Sequence, residues 1–308
     1  MIIDAHAHLF ESLEVYQKSW LDGVKAHNRR LRSKDEYERW EASLDGRVQT
    51  LLKDMDDAGV DKAIALPSGC AIAYADELPK ISIWRSNEYV AEAQRKYPNR
   101  IIGFARVDPL RKDSVELLRK AVKEWGLKGV KMVPPIPLSD EFVQPLMSKI
   151  HELEVPILTH TGVNPPPYPS IFGDPLALDT LTARFPKIKI IAAHYAKGFE
   201  DFLTALIFHR KGTLYADLSM WQEEYASSPW WFILKLRNLM DRIPQALLMG
   251  SDWPFSRVAP VPYKDWFKAI RNLKISPAFL QIGMGIRDFS ETEKNMILGD
   301  NVRSLLGP

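Results

Sequence analysis

Residues 2–10 read IIDAHAHLF, an apolar run carrying two histidines two positions apart. Side chains on a β-strand alternate between faces. His6 and His8 therefore share one face with Asp4, while Ile3, Ala5 and Ala7 share the other. Two imidazoles on one face suit a single metal ion. For so short a motif, a pair of hydrogen-bonded core histidines is an equally good reading, and the rest of the chain must separate the two.

Seven further β-branched, apolar runs follow: DKAIALP (61–67), RIIGFARV (100–107), KGVKMVP (128–134), VPILTHTG (155–162), KIKIIAAH (187–194), GTLYADLS (212–219) and QALLMGSD (245–252). Between them lie segments of helical periodicity such as GRVQTLLKDMDDAG, SNEYVAEAQRKYP, DSVELLRKAVKEWG, SDEFVQPLMSKIHELE and DPLALDTLTARFP. Several have Ser or Asp near the start, and Gly or Pro follows most of the ends, as capping chemistry requires. Eight strand-helix units over this length predict an α/β fold, a parallel (β/α)8 TIM barrel, rather than an open doubly wound sheet. No GxGxxG or GxxxxGK[ST] loop follows any strand, which removes the main support for a nucleotide-binding fold.

The 308 residues are expected to form one barrel domain, 1–308. Residues 11–44, charged and aromatic, form an insert after the first strand, expected to cap the mouth. The proline-rich TGVNPPPYPSIFGDP (161–175) is expected to wall the same mouth. The tail, 288–308, reads as short helices with a break at Gly299.

Forty-one basic residues against 39 acidic leave a formal charge of +2 with no long block of one sign, so neither nucleic acid nor an anionic membrane is expected as a partner. A small molecule is. Cys70 is the single cysteine, which excludes an intrachain disulfide and a cysteine-based zinc cluster and makes a poor candidate nucleophile. The chain opens on its first strand without a basic-then-apolar leader, and no charge-free stretch is long enough to span a bilayer. A cytoplasmic location is expected.

Barrel enzymes build their sites at the C-terminal ends of the strands. A census of polar residues there returns His6, His8, Lys131, His160, His194 and Asp252. His27, His151 and His209 fall in the insert or on helical segments and are expected to face solvent. In a closed barrel the eighth strand pairs with the first, which brings Asp252 beside His6 and His8. His6, His8, His160 and Asp252 would then offer nitrogen and oxygen ligands to one divalent ion and leave positions open for water or substrate. The bland alternative needs four separate coincidences at strand ends.

The motifs DAHAHL, GVKMVP, PILTHTG, IIAAHYA, GSDWPF and GDNVRSLLG together resemble the amidohydrolase superfamily. Within it they resemble the amidohydrolase-2 branch, which includes aminocarboxymuconate semialdehyde decarboxylase, resorcylate-type decarboxylases and several lactone hydrolases; the resemblance spans nearly the whole chain. It implies metal ligation by His6, His8, His160 and Asp252, and a catalytic His194 that positions or deprotonates water or substrate. It implies one divalent ion, zinc ahead of manganese, and a homodimer as the usual assembly. One departure falls after His194, where HYAKG places Tyr195, Ala196 and Lys197 instead of the glycine pair of many relatives.

Lys131 is read first as an ammonium that pairs with a substrate carboxylate. Second, it is read as a carbamylated lysine bridging two metals. Arg29, with Arg30 and Arg32, would add to anion binding, against the alternative of a solvated helix face. Tyr195, Trp253 and Phe255, next to the expected ligands, would flank a planar substrate, against ordinary packing. The leading functional reading is hydrolysis of a C–N or lactone or ester C–O bond in a small carboxylated, cyclic or aromatic substrate, with Asp252 or His194 taking the proton from water. The runner-up is non-oxidative decarboxylation of a hydroxybenzoate- or muconate-like acid. A non-catalytic metal- or ligand-binding barrel stands third. A TatD-like nuclease also begins with HxH, but near-neutral charge and the SDWPF ending argue against it.

Overall fold

The computed structural model describes residues 1–69, 77–163, 169–281 and 285–307. Cys70 and most of the proline run (164–168) lie outside the described residues. The strands are β1 (Ile3–Leu9), β2 (Lys62–Pro67), β3 (Ile101–Gly103), β4 (Ala105–Arg106), β5 (Val130–Met132), β6 (Ile157–Thr159), β7 (Ile190–Ala192), β8 (Leu214–Asp217) and β9 (Leu247–Leu248). All pairings are parallel and follow chain order. β3 and β4 are two halves of one barrel strand interrupted at Phe104. The Phe104 N–H still donates back to Ala65 O at 3.0 Å, while the Ala105 N–H crosses forward to Gly129 O at 2.7 Å. The last strand returns to the first: the Ala5 N–H donates to Met249 O at 2.8 Å, and Ala7 forms a parallel bridge with Trp253. The result is a (β/α)8 barrel, in which the two ends of the chain meet at one seam.

The strands are buried on both faces, as parallel strands sheathed by helices must be. Helices α1 (Lys18–Leu31) and α2 (Lys34–Ala42) precede α3 (Val48–Ala58); α4 (Ile83–Lys96), α5 (Ser114–Lys123), α6 (Gln144–Leu153), α7 (Leu176–Arg184) and α8 (Glu200–His209) follow successive strands. α9 (Gln222–Ser227) and α10 (Pro229–Arg242) both follow β8; α11 (Tyr263–Arg271), α12 (Pro277–Gln281), α13 (Glu291–Asn295) and α14 (Asn301–Leu306) complete the chain. Helices α3, α5 and α11 each turn an apolar stripe inward. In α5 that stripe is Leu117, Leu118 and Ala121; burying each leucine contributes about 1.5–3 kcal/mol.

The insert is a helical hairpin. Ser33 caps α2 in a reciprocal arrangement with Glu36, and Tyr37, Trp40 and Leu44 make a small core with Phe255 at its edge. A second small core, Phe10, Val15 and Tyr16, also abuts Phe255. In the tail, α13 passes through a wide turn into α14 at Gly299, where the expected break occurs. A Cβ there would lie 2.3 Å from Met1 O, so only glycine lets the tail press on β1. Among the described residues no helix is long and apolar enough to cross a membrane.

Candidate metal centre

β1 aims two of its three polar side chains at the mouth. The pairing of β1 with β2 shifts register between Asp4 and Ala7. Asp4 does not join the histidines: its carboxylate accepts the His6 N–H at 3.0 Å and the Ser251 N–H and hydroxyl at 3.1 and 2.6 Å, which ties down the seam. Burial raises its pKa to about 7. From the other side of the seam the Asp252 N–H donates to His6 O at 2.8 Å and the His8 N–H to Trp253 O at 2.6 Å. The backbone at Asp252 is left-handed, φ +62°, a conformation that Asp tolerates better than most residues.

Three donor atoms converge as a result. His6 Nε2 lies 3.1 Å from His8 Nε2 and 3.2 Å from Asp252 Oδ1, and His8 Nε2 lies 3.3 Å from the same oxygen. Ligand bonds of about 2.0–2.2 Å in tetrahedral geometry place donors about 3.4 Å apart, so this triad fits one divalent ion. His160 stands outside the triad and is tied to it through His194. Its Nε2 is buried with no hydrogen-bond partner among the described residues, as is His8 Nδ1.

A chain of hydrogen bonds sets which nitrogens carry protons. Asp217, at the end of β8 and wholly buried, accepts at Oδ2 from His6 Nδ1 at 2.9 Å. Its Oδ1 accepts the N–H groups of His194 and Ser219, at 3.1 and 3.0 Å, and the Ser219 hydroxyl. With that proton committed, Ser219 Oγ accepts from His194 Nδ1 at 2.8 Å, and His194 Nε2 accepts from His160 Nδ1 at 3.2 Å. The self-consistent assignment therefore leaves His6 Nε2 and His160 Nε2 unprotonated, the form in which imidazole ligates metals; of the two, His6 Nε2 has the Lys131 ammonium at 3.3 Å. The run His194, Tyr195, Ala196 is left-handed throughout, φ +58°, +51° and +45°, and the Trp221 indole N–H holds His194 O at 2.9 Å. Strained backbone of this kind clusters at functional sites.

The charge states agree with ligation. Burial lowers the pKa of His6 and His8, drops His160 well below its usual value and takes His194 to about 4, so all four imidazoles are neutral. Burial acts to raise Asp217 and Asp252, but their histidine partners outweigh it and hold both below the usual carboxylate range. Lys131, in the middle of β5, is buried with its Nζ 3.3 Å from His6 Nε2; burial lowers its pKa to about 8.

Several expected substrate contacts lie elsewhere. Arg29 sits on α1 with its guanidinium 4.7 Å from the Tyr37 ring, a contact internal to the insert. Tyr195 and Trp253 are fully buried. The left-handed turn sends the Tyr195 ring against Trp221 and its hydroxyl to Thr204 at 2.8 Å, while the Trp253 indole N–H donates to Asp54 at 2.8 Å. Both are packing residues, because the neighbour that points inward takes the place at the mouth. Phe255 does reach the cluster, edge-on to His8 with centroids 5.7 Å apart. Lys197 is paired with Glu224 at 2.8 Å and Glu223 at 3.3 Å. His27 and His151 are partly exposed and His209 exposed, away from the cluster. The polar residues expected at the mouth do not include Asp217, Ser219 or Arg106, although each stands at the end of a strand-like run, RIIGFARV or GTLYADLS.

The family model described as Amidohydrolase (Amidohydro_2) matches residues 3–307. No curated protein matches the chain. Among solved structures, a dihydroxybenzoic acid decarboxylase from Polaromonas with bound manganese and 2-nitroresorcinol is 17% identical, with 99% of this chain and 96% of that one covered and a TM-score of 0.64. The 5-carboxyvanillate decarboxylase of Sphingomonas paucimobilis is 15% identical over 99% and 98% of the two chains, TM-score 0.66. A probable 2-pyrone-4,6-dicarboxylic acid hydrolase from Acinetobacter baumannii with citric acid bound is 16% identical over 99% and 98%, TM-score 0.62. With the family model spanning nearly its whole length, the chain belongs to the amidohydrolase-2 family and is an enzyme of the metal-dependent hydrolase or carboxy-lyase kind.

Proposed function

We propose that the protein is a metal-dependent hydrolase that cleaves a C–N or lactone or ester C–O bond in a small carboxylated, cyclic or aromatic substrate. The observation that carries this reading is the convergence of His6 Nε2, His8 Nε2 and Asp252 Oδ1 within 3.3 Å at the mouth of the barrel. These three, with His160, would hold one divalent ion, zinc or manganese. Bound there, the ion supplies Lewis-acid chemistry: it lowers the pKa of water toward neutrality and polarises a carbonyl. Asp252, held ionised, takes the proton from the attacking water. His194, engaged at both ring nitrogens, orients His160. Lys131 faces the triad as a compact positive charge for a substrate carboxylate, and Phe255 offers an edge to a planar ring.

Decarboxylation of a hydroxybenzoate- or muconate-like acid is the second reading. It requires an acid that protonates the carbon losing CO2. Lys131, the one ammonium in the cluster, lies 3.3 Å from His6 Nε2, and that placement of an acid favours it. Hydrolysis needs only the bases that the cluster has in plenty.

Elemental analysis of protein purified without chelator tests the metal site. The expected result is one zinc or manganese per chain, lost in a His6→Ala, His8→Ala double variant. Two per chain would point to carbamylated Lys131 as a bridge, and none after reconstitution would overturn the proposal. The loaded protein is then offered 2-pyrone-4,6-dicarboxylate, a carboxylated lactone, and 2,6-dihydroxybenzoate. Ring opening supports hydrolysis; CO2 release without it supports the second reading.

A further inference from the structure

Arg106 ends β4 in register with Lys131 of β5, so the two side chains leave the sheet on the same face, toward the barrel interior. Lys131 reaches His6 there. Arg106 is 5% exposed, and its Nε is buried without a hydrogen-bond partner among the described residues. Among the described residues no ion pair or hydrogen bond to its guanidinium occurs; only its backbone is engaged, through the Asn87 side chain at 2.8 and 3.0 Å. Gly69, after β2, has φ +141°, and a Cβ there would lie 2.9 Å from an Arg106 terminal nitrogen and 3.1 Å from Val15 O. The guanidinium thus lies beside Gly69, just past the end of β2, on the sheet face that Arg106 shares with Lys131, and any side chain at position 69 would intrude on it.

A buried guanidinium without a counter-charge is unfavourable, and its planar fork matches a carboxylate in two-point geometry. We propose that Arg106 is a substrate anchor that binds a second carboxylate, so that the site selects small dicarboxylates over monocarboxylates. The proposal rests on the reading of the mouth as a metal centre for carboxylated substrates, with Lys131 facing the first carboxylate.

Calorimetric titration of manganese-loaded protein with benzoate and with isophthalate, the same ring with one and two carboxylates, tests it. Wild type should bind isophthalate about tenfold or more tightly. In Arg106→Met, which keeps the packing of the stem, the two affinities should come within about twofold while manganese content and circular dichroism stay unchanged. Should that variant not fold, Arg106→Gln reads the same ratio. A preference that survives the loss of the guanidinium overturns the role of Arg106 and leaves the metal centre standing, and so does a loaded wild type that shows no preference. A wild type that takes up no manganese or zinc overturns the metal centre and this proposal together.

Discussion

Asp252 and Glu293 are both carboxylates held ionised in largely buried surroundings, and their partners differ in kind. Glu293, at the start of α13, accepts from Arg237 at 2.6 Å and Arg287 at 2.7 Å, and from the N–H of Ser290 at 2.9 Å. Two guanidiniums and a cap complete it from its own chain. Asp252 faces the imidazoles of His6 and His8 at 3.2 and 3.3 Å, with no guanidinium beside it among the described residues. Imidazole nitrogens and a carboxylate oxygen that converge in this way match the donor set of a divalent ion. The tail carboxylate is completed by its own chain, whereas the mouth carboxylate fits the proposed metal site.

The largest effect should come from Asp252→Asn. Asparagine tolerates the left-handed φ of +62°, so the seam should stay closed and the melting temperature hold or rise. Turnover should fall about 10³-fold or more, with loss of metal checked by elemental analysis. Full activity in that variant would erase the contrast with Glu293.

Ser219→Ala removes the hydroxyl that passes the Asp217 charge to His194. Outer partners of metal-binding histidines are worth about 10–100-fold in metal affinity or activity. A loss of that size in zinc affinity, measured by competition with a chelator, is expected with little change in fold. Unchanged affinity would mean that the imidazoles find their tautomers without the relay.

Glu293→Gln should act on stability alone, by about 2 kcal/mol in urea denaturation at pH 7. That lies below the roughly 3–5 kcal/mol of a fully buried broken pair, because Arg287 is more than half exposed and screened. The folded-state pKa of Glu293 is pulled below its ordinary value of 4.5, first by its bonds to Arg237. Its contribution is therefore in full force above that value and fades as acid carries the pH through the folded pKa. The gap between wild type and variant should narrow below about pH 4.5, with kcat unaffected. The smallest effect belongs to Arg29→Ala: less than about 1 kcal/mol from the lost contact with Tyr37, and no change in KM.

The alternation of eight short apolar runs with amphipathic segments was enough to specify the barrel, because strand and helix periodicities are local properties of the chain. The same logic put His6, His8, His160, His194 and Asp252 at strand ends. It was also enough to place the helix break at Gly299. The direction of a side chain at a rim was not legible. Tyr195 and Trp253 are adjacent to inward-pointing residues, and the left-handed turns that send them into the core depend on contacts with Trp221, Thr204 and Asp54, far away in sequence. Asp4 shares a strand face with His6 on paper, but the shifted register of β1 and the hydrogen bonds of Ser251 draw it into the seam. Asp217, Ser219 and Arg106 carried the same strand-end signal as the histidines. Their roles emerged only where Asp217 meets His6 across 211 positions and Arg106 lines up with Lys131. Periodicity and spacing decide which elements form. Which lone pair is left bare, and which buried charge lacks a partner, is decided by closure of the barrel, because both depend on what the rest of the chain brings within about 3 Å.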